Sequence, residues 1–152
     1  MFIVTEAKTN EDLIAILKLR YIILRQPWEQ PLETATDALE EKSINAFITD
    51  TKGNAIACGR LQVNEIADSQ NGNKIGQIRF MAVDSKYQGT GLGKLIVAYL
   101  EKKAKELGLP EIQLQARENA LKFYENCGYS IQEKSFFLWD QIQHYLMFKK
   151  LN

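Results

Sequence analysis

The chain has 152 residues, 45% hydrophobic and 25% charged, with 19 lysines and arginines balanced by 19 aspartates and glutamates. This length suits one domain over residues 1–152, and the neutral balance, with no basic stripe, argues against a nucleic-acid partner. "MFIVTEAKTNED" has no basic segment leading into a long apolar one, and runs such as "LIVAYL" are too short to cross a bilayer, so a cytoplasmic protein without a membrane partner is expected.

In chain order, "FIVTEA" predicts a first strand. Thr9 or Asn10 can cap a helix in which Leu13, Ile14, Leu17 and Ile22 or Ile23 keep helical spacing, and "RQPWEQP" breaks it. Residues 28–41 then carry Glu29, Glu33, Asp37, Glu40 and Glu41 without a lysine or arginine. Such a run reads either as a solvated face or as an acidic wall suited to a cationic ligand. "INAFITD", "TKGN" and "AIACGRLQVNE" form a β-hairpin signal, and "SQNGNK" is a turn before the strand "IGQIRFMAVD".

A glycine-rich turn follows, then a helix with Leu92, Leu95, Ile96, Tyr99, Leu100, Ala104 and Leu107 in one stripe, closed by Gly108 and Pro110. "EIQLQA" reads as a strand, "ENALKFYENC" as a short helix ending at Gly128, and "YSIQEK" and "HYLMFKKL" as the last strands. The order predicts a mixed α/β (α+β) sandwich and departs from the regular alternation of a doubly wound sheet. Cys58 and Cys127 have no metal-like spacing, and with His144 the sole histidine no metal site is expected.

A glycine turn between strand and helix aims backbone N–H groups and the positive helix end at one point, which suits phosphate. Spacing rejects two nucleotide loops. A Walker A loop would need glycine at Gln88 and Ser or Thr at Leu95, and a dinucleotide fingerprint would need glycine at Lys94.

"QGTGLG" has the form Gln/Arg-x-x-Gly-x-Gly/Ala, preceded by "IRFMAV", and "ARENALKFYENCGY" contains Ala-x-x-x-Tyr-x-x-x-Gly-aromatic. Together these resemble the GNAT superfamily of acetyl-CoA-dependent N-acetyltransferases, over most of the chain from about residue 44. The resemblance implies a mostly antiparallel sheet of six to seven strands flanked by helices and splayed between "RFMAV" and "IQLQA". It assigns Gln88, Gly89, Thr90, Gly91, Leu92, Gly93 and Lys94 to the coenzyme A pyrophosphate, and Met81, Ala82 and Val83 to the pantetheine arm.

By the same resemblance Tyr124 is the general acid that protonates the departing thiolate. A helix tyrosine otherwise reads as a core residue. Arg117 stands where many members have asparagine, and takes a cofactor-side role. Gln77 occupies the position of a basic glutamate in some relatives but cannot accept a proton. Gln77, His144 and Glu29 are therefore candidates for base or water positioning, and Trp28, Glu29 and Arg79 for contact with the acceptor. The implied reaction is direct attack by a primary amine of a small molecule or peptide on acetyl-CoA. A non-catalytic acyl-CoA-binding module is the alternative. A homodimer is compatible with this sequence.

Overall fold

The computed structural model describes residues 2–65, 73–139 and 141–151. The chain runs β1 (Thr5–Glu6), α1 (Asn10–Arg20), β2 (Ile44–Thr49), β3 (Ala55–Glu65), β4 (Lys74–Val83), α2 (Leu92–Glu106), β5 (Glu111–Arg117), α3 (Leu121–Asn126), β6 (Ser130–Leu138) and β7 (Ile142–Lys150). The seven strands form one sheet in the order β1-β2-β3-β4-β5-β7-β6. All neighbours are antiparallel except β4 and β5. The expected turn "SQNGNK" falls largely outside the described residues.

Thr9 caps α1 through a capping box: its hydroxyl accepts from Asp12 N at 3.1 Å, and the Asp12 carboxylate accepts from Thr9 N at 3.2 Å. The helix then winds into a π turn at Tyr21–Arg25 and a 3₁₀ turn at Gln26–Trp28, where Pro27 fits the first positions. Its inward face carries Ile16 and Leu19, whereas Ile14 is 66% exposed. The apolar residues surround this helix so nearly completely that periodicity alone does not select the face. Ile16 and Leu19 pack with Phe47, Cys58 and Ala82 on one side of the sheet.

On the opposite side α2 buries Leu92, Ile96, Val97, Leu100 and Ala104 against β2, β3 and β4. Leu95 lies outside that arc and Leu107 is the C-cap residue, so both are exposed, contrary to the predicted stripe. Gly108, at φ 75°, closes the helix, and Leu109 N donates to Ala104 O at 3.0 Å.

Two irregularities of β4 shape the site. Opposite β3 the register passes from Cys58↔Ala82 to Arg60↔Arg79, so Gly59 faces both Phe80 and Met81, with Phe80 at φ 55°. This bulge needs a glycine opposite it: a Cβ on Gly59 would collide with Met81 Sδ and lie 2.7 Å from Ile96 Cγ2. Gly59→Ala is expected to cost about 1–3 kcal/mol in chemical denaturation. Wild-type stability in that variant would mean that Met81 and α2 yield freely.

The second irregularity is a split. β4 and β5 pair through Gly76↔Ile112, Gln77↔Gln113 and Ile78↔Leu114 and then part, leaving a wedge beyond.

Candidate active site

Two cavities open into the wedge. One, of about 710 Å³, is lined by the glycine turn, Met81, Ala82, Val83 and α3. The other, of about 300 Å³, is lined by Gln77, Arg79, Arg25, Phe136 and His144. They share five residues, Leu24, Met81, Arg117, Ala120 and Tyr124, and so meet at that point.

One end of the larger cavity is formed by the glycine turn and the start of α2. Gly89 and Gly91 adopt φ 80° and 90°, and Gly91 caps α2 with no side chain bonded to the first-turn N–H groups. Those donors stay available beside the positive helix end. Gln88 holds the turn shut by donating from Nε2 to Val83 O at 3.1 Å. Thr90 turns its hydroxyl back to the Tyr87 carbonyl and does not line the cavity, unlike Gln88, Gly89, Gly91, Leu92, Gly93 and Lys94. Gly93 lets α3 approach, since a Cβ there would lie 3.0 Å from Phe123 Cζ.

Tyr124, on α3, is 8% exposed and packs edge-on against Phe123 and Tyr129 at centroid separations of 5.0 and 6.1 Å. Its hydroxyl has no hydrogen-bond partner among the described residues. Burial pushes the phenol's pKa above its usual value, so it keeps its proton at neutral pH.

The smaller cavity contains the sole histidine. β5–β7 pairing sets His144 opposite Arg117, and the imidazole stacks on Phe136 at 4.2 Å. His144 Nδ1 lies 3.2 Å from Ile142 O. A carbonyl can only accept, so Nδ1 carries the hydrogen and Nε2 keeps its lone pair. Burial lowers the imidazole pKa, and Arg117 adds to this against the opposing Ile142 bond. Gln77 is held by its carbonyl oxygen, which accepts from Asn64 Nδ2 at 2.7 Å and Gln62 Nε2 at 3.2 Å.

Glu29 is exposed, at φ 55°, and lines neither cavity. Trp28 lines the larger cavity, close to Trp139, with the Arg117 guanidinium 4.7 Å from its ring. The acidic segment forms no wall on the smaller cavity. Asp37 turns inward to Arg60 and Arg79 at 2.9 and 2.7 Å, and Glu40 to Arg20 at 2.6 Å. Arg25, Leu24 and Phe136 also line the smaller cavity and were missed from the sequence. The "LRYIILRQPWEQP" segment carries two of them, but its spacing encodes no ligand motif.

The class that this split sheet defines is the acetyltransferase fold, and the chain belongs to the Acetyltransferase (GNAT) family, whose model matches residues 10–129. It is 33% identical to glucosamine 6-phosphate N-acetyltransferase of Arabidopsis thaliana over 119 residues, 78% of this chain and 79% of that one. An acyl-CoA N-acyltransferase from Pseudomonas aeruginosa superposes with TM-score 0.78 at 21% identity, covering 98% and 99% of the two chains. A chain of the NatC complex bound to Gag peptide and CoA gives TM-score 0.81 at 20% identity over 99% of each. With three further curated relatives the chain matches half or less of their length, at 50%, 44% and 37%. No described helix is long and apolar enough to cross a membrane, and no described group of His, Cys, Asp and Glu could hold a metal ion.

Proposed function

We propose that the protein transfers the acetyl group of acetyl-CoA to a primary amine of a small molecule or peptide, by direct attack in a ternary complex. The observation that carries this reading is the meeting of the two cavities at Tyr124 and Met81. One cavity takes the acyl donor and the other the amine, with a buried phenol at the boundary.

The residues present fit coenzyme A. The bare helix start with Gly89, Gly91 and Gly93 accepts the pyrophosphate, and the β4 edge left without a strand beyond Ile78 accepts the pantetheine arm as an added strand would. When bound, the co-substrate supplies a thioester whose carbonyl the amine attacks. Backbone N–H groups of β4 near Met81 are the donors available to that carbonyl oxygen.

Tyr124 holds the proton for the departing sulfur, and Arg117 orders the boundary between the two ligands. His144 takes the proton released by the amine at Nε2, either directly or through a water positioned by Gln77. Among the three base candidates, His144 alone combines a place on the acceptor cavity with a titratable lone pair.

A free-thiol release assay with acetyl-CoA against a panel of amines, alongside calorimetry of acetyl-CoA binding, tests the reading. Turnover with binding supports it. Binding without release on any amine would leave a non-catalytic acyl-CoA-binding module, and no binding would remove the reading altogether. Burial lowers the His144 pKa, so turnover should rise through an acid limb centred below 6.5. His144→Gln should lose that limb as well as rate. An unchanged limb would assign the base to another group.

A further inference from the structure

The smaller cavity contains arginines and no carboxylate: Arg25, Arg79 and Arg117 line it, and neither Asp nor Glu does. These belong to a larger cluster. The ring of Phe80, set inward by the bulge, has Arg20, Arg60, Arg79 and Arg25 around it, their guanidinium carbons 4.4, 4.8, 4.7 and 5.6 Å from its centroid. Arg117 stands beyond, near Trp28 and Trp139. Against these five cations the paired carboxylates are two, Asp37 and Glu40, among the described residues.

Among the described residues neither carboxylate pairs with Arg25 or Arg117, whereas Asp37 does pair with the cavity residue Arg79. Glu40 takes Arg20 through both oxygens and also meets Arg60, while Asp37 bridges Arg60 and Arg79. Arg25 donates to Thr34 and to the Leu24 carbonyl, and Arg117 to the Leu24 carbonyl; neither has a carboxylate partner among the described residues. A guanidinium has five N–H donors, so Arg117 and Arg79 keep most of theirs for something else. The crowding is electrostatically unfavourable as it stands: burial first, then Arg117, Arg79 and Arg20, bring Arg25 down to about 10.

From this excess of arginine over carboxylate, with Arg25 and Arg117 paired to neither carboxylate, we propose that the acceptor carries an anionic group, carboxylate or phosphate, beside its amine, and that Arg79, Arg117 and Arg25 hold that group. The inference rests on the acetyltransferase reading and deepens it. A planar fork of N–H donors matches a carboxylate or phosphate in bidentate geometry. The same positive field disfavours an ammonium ion, so a simple polyamine or alkylamine enters poorly, while an acceptor that brings its own negative charge is both held and compensated.

The test compares acceptors that differ in the anion alone. In one arm glucosamine 6-phosphate is set against glucosamine. In the other, free amino acids are set against their amides. Thiol release from acetyl-CoA should show kcat/KM at least tenfold higher for the anionic member in one arm, and the arm identifies phosphate or carboxylate. Arg79→Gln should raise KM for that acceptor at least tenfold and leave calorimetric binding of acetyl-CoA unchanged. Equal or better use of the neutral members in both arms overturns the proposal.

A second readout does not depend on turnover. With coenzyme A saturating the glycine turn, inorganic phosphate or N-acetylglycine should raise the melting temperature of the wild type and not of Arg79→Gln. No shift with either anion overturns the proposal while leaving the enzyme reading intact. Failure of acetyl-CoA itself to bind removes the enzyme reading, and the Arg79-dependent anion shift, measured without coenzyme A, then decides the anion site separately.

Discussion

Replacing Tyr124 with phenylalanine is expected to lower kcat about tenfold or more while acetyl-CoA affinity stays unchanged. The ring is retained, so its edge-on packing against Phe123 and Tyr129 survives. What disappears is the one hydroxyl at the boundary of the two cavities. Burial raises the pKa of that phenol, which would make full transfer to a thiolate near ~8.5 uphill if the sulfur stayed hydrated. In the proposed reaction the departing sulfur would leave beside this buried ring, where its own pKa would rise for the same reason. A phenol that keeps its proton at all physiological pH values would thus be able to donate it throughout that range. Unaltered turnover in Tyr124→Phe would remove the residue from this role. Weakened acetyl-CoA binding would recast it as a structural element of the cofactor cavity.

The second large effect concerns stability. Arg20 is fully buried, and Glu40 meets it at 2.6 Å with Asn45 and Thr36 completing the carboxylate's bonds. Glu40→Ala leaves a buried guanidinium facing Asn45 and the Ala35 carbonyl, and should cost about 3–5 kcal/mol in urea unfolding. That is a large share of the stability of a domain this size. The pH dependence has a definite sign. Burial opposes ionisation of Glu40, but the bonds from Arg20 and Asn45 overcome it and hold its pKa at about 2, below the ordinary 4.5. A depressed acid stabilises the fold above its unfolded-state value and loses that contribution as pH falls from about 4.5 towards about 2. Glu40→Gln should lack this part of the acid transition. Equal melting of wild type and Glu40→Ala at neutral pH would show that the pair does not hold the acidic segment in place.

What could be read from sequence was local. The glycine turn and the helix that carries Tyr124 each fit within a few residues, because each is formed by local backbone geometry. The strands followed from alternation and turn residues for the same reason. The smaller cavity was less legible, since it is assembled by register. Arg117 and His144 meet only because β5 lies beside β7, and Arg25 reaches them through a π turn that leaves no periodic trace. Composition also misleads where charge is buried. The run from Glu29 to Glu41 looks like a solvated or ligand-facing acidic stretch, yet two of its members neutralise arginines from α1 and β3. No window along the chain contains both partners of those pairs.

The split between β4 and β5 has a mechanical meaning as well. The sheet is two half-sheets, β1–β4 and β5–β7, sutured through three residue pairs. Tyr124 and the glycine turn sit on the rim of that suture, so a ligand lodged in the wedge bears on both halves at once. Strand cohesion and ligand occupancy therefore share one seam, and a molecule that fills it would splint the two halves of the domain.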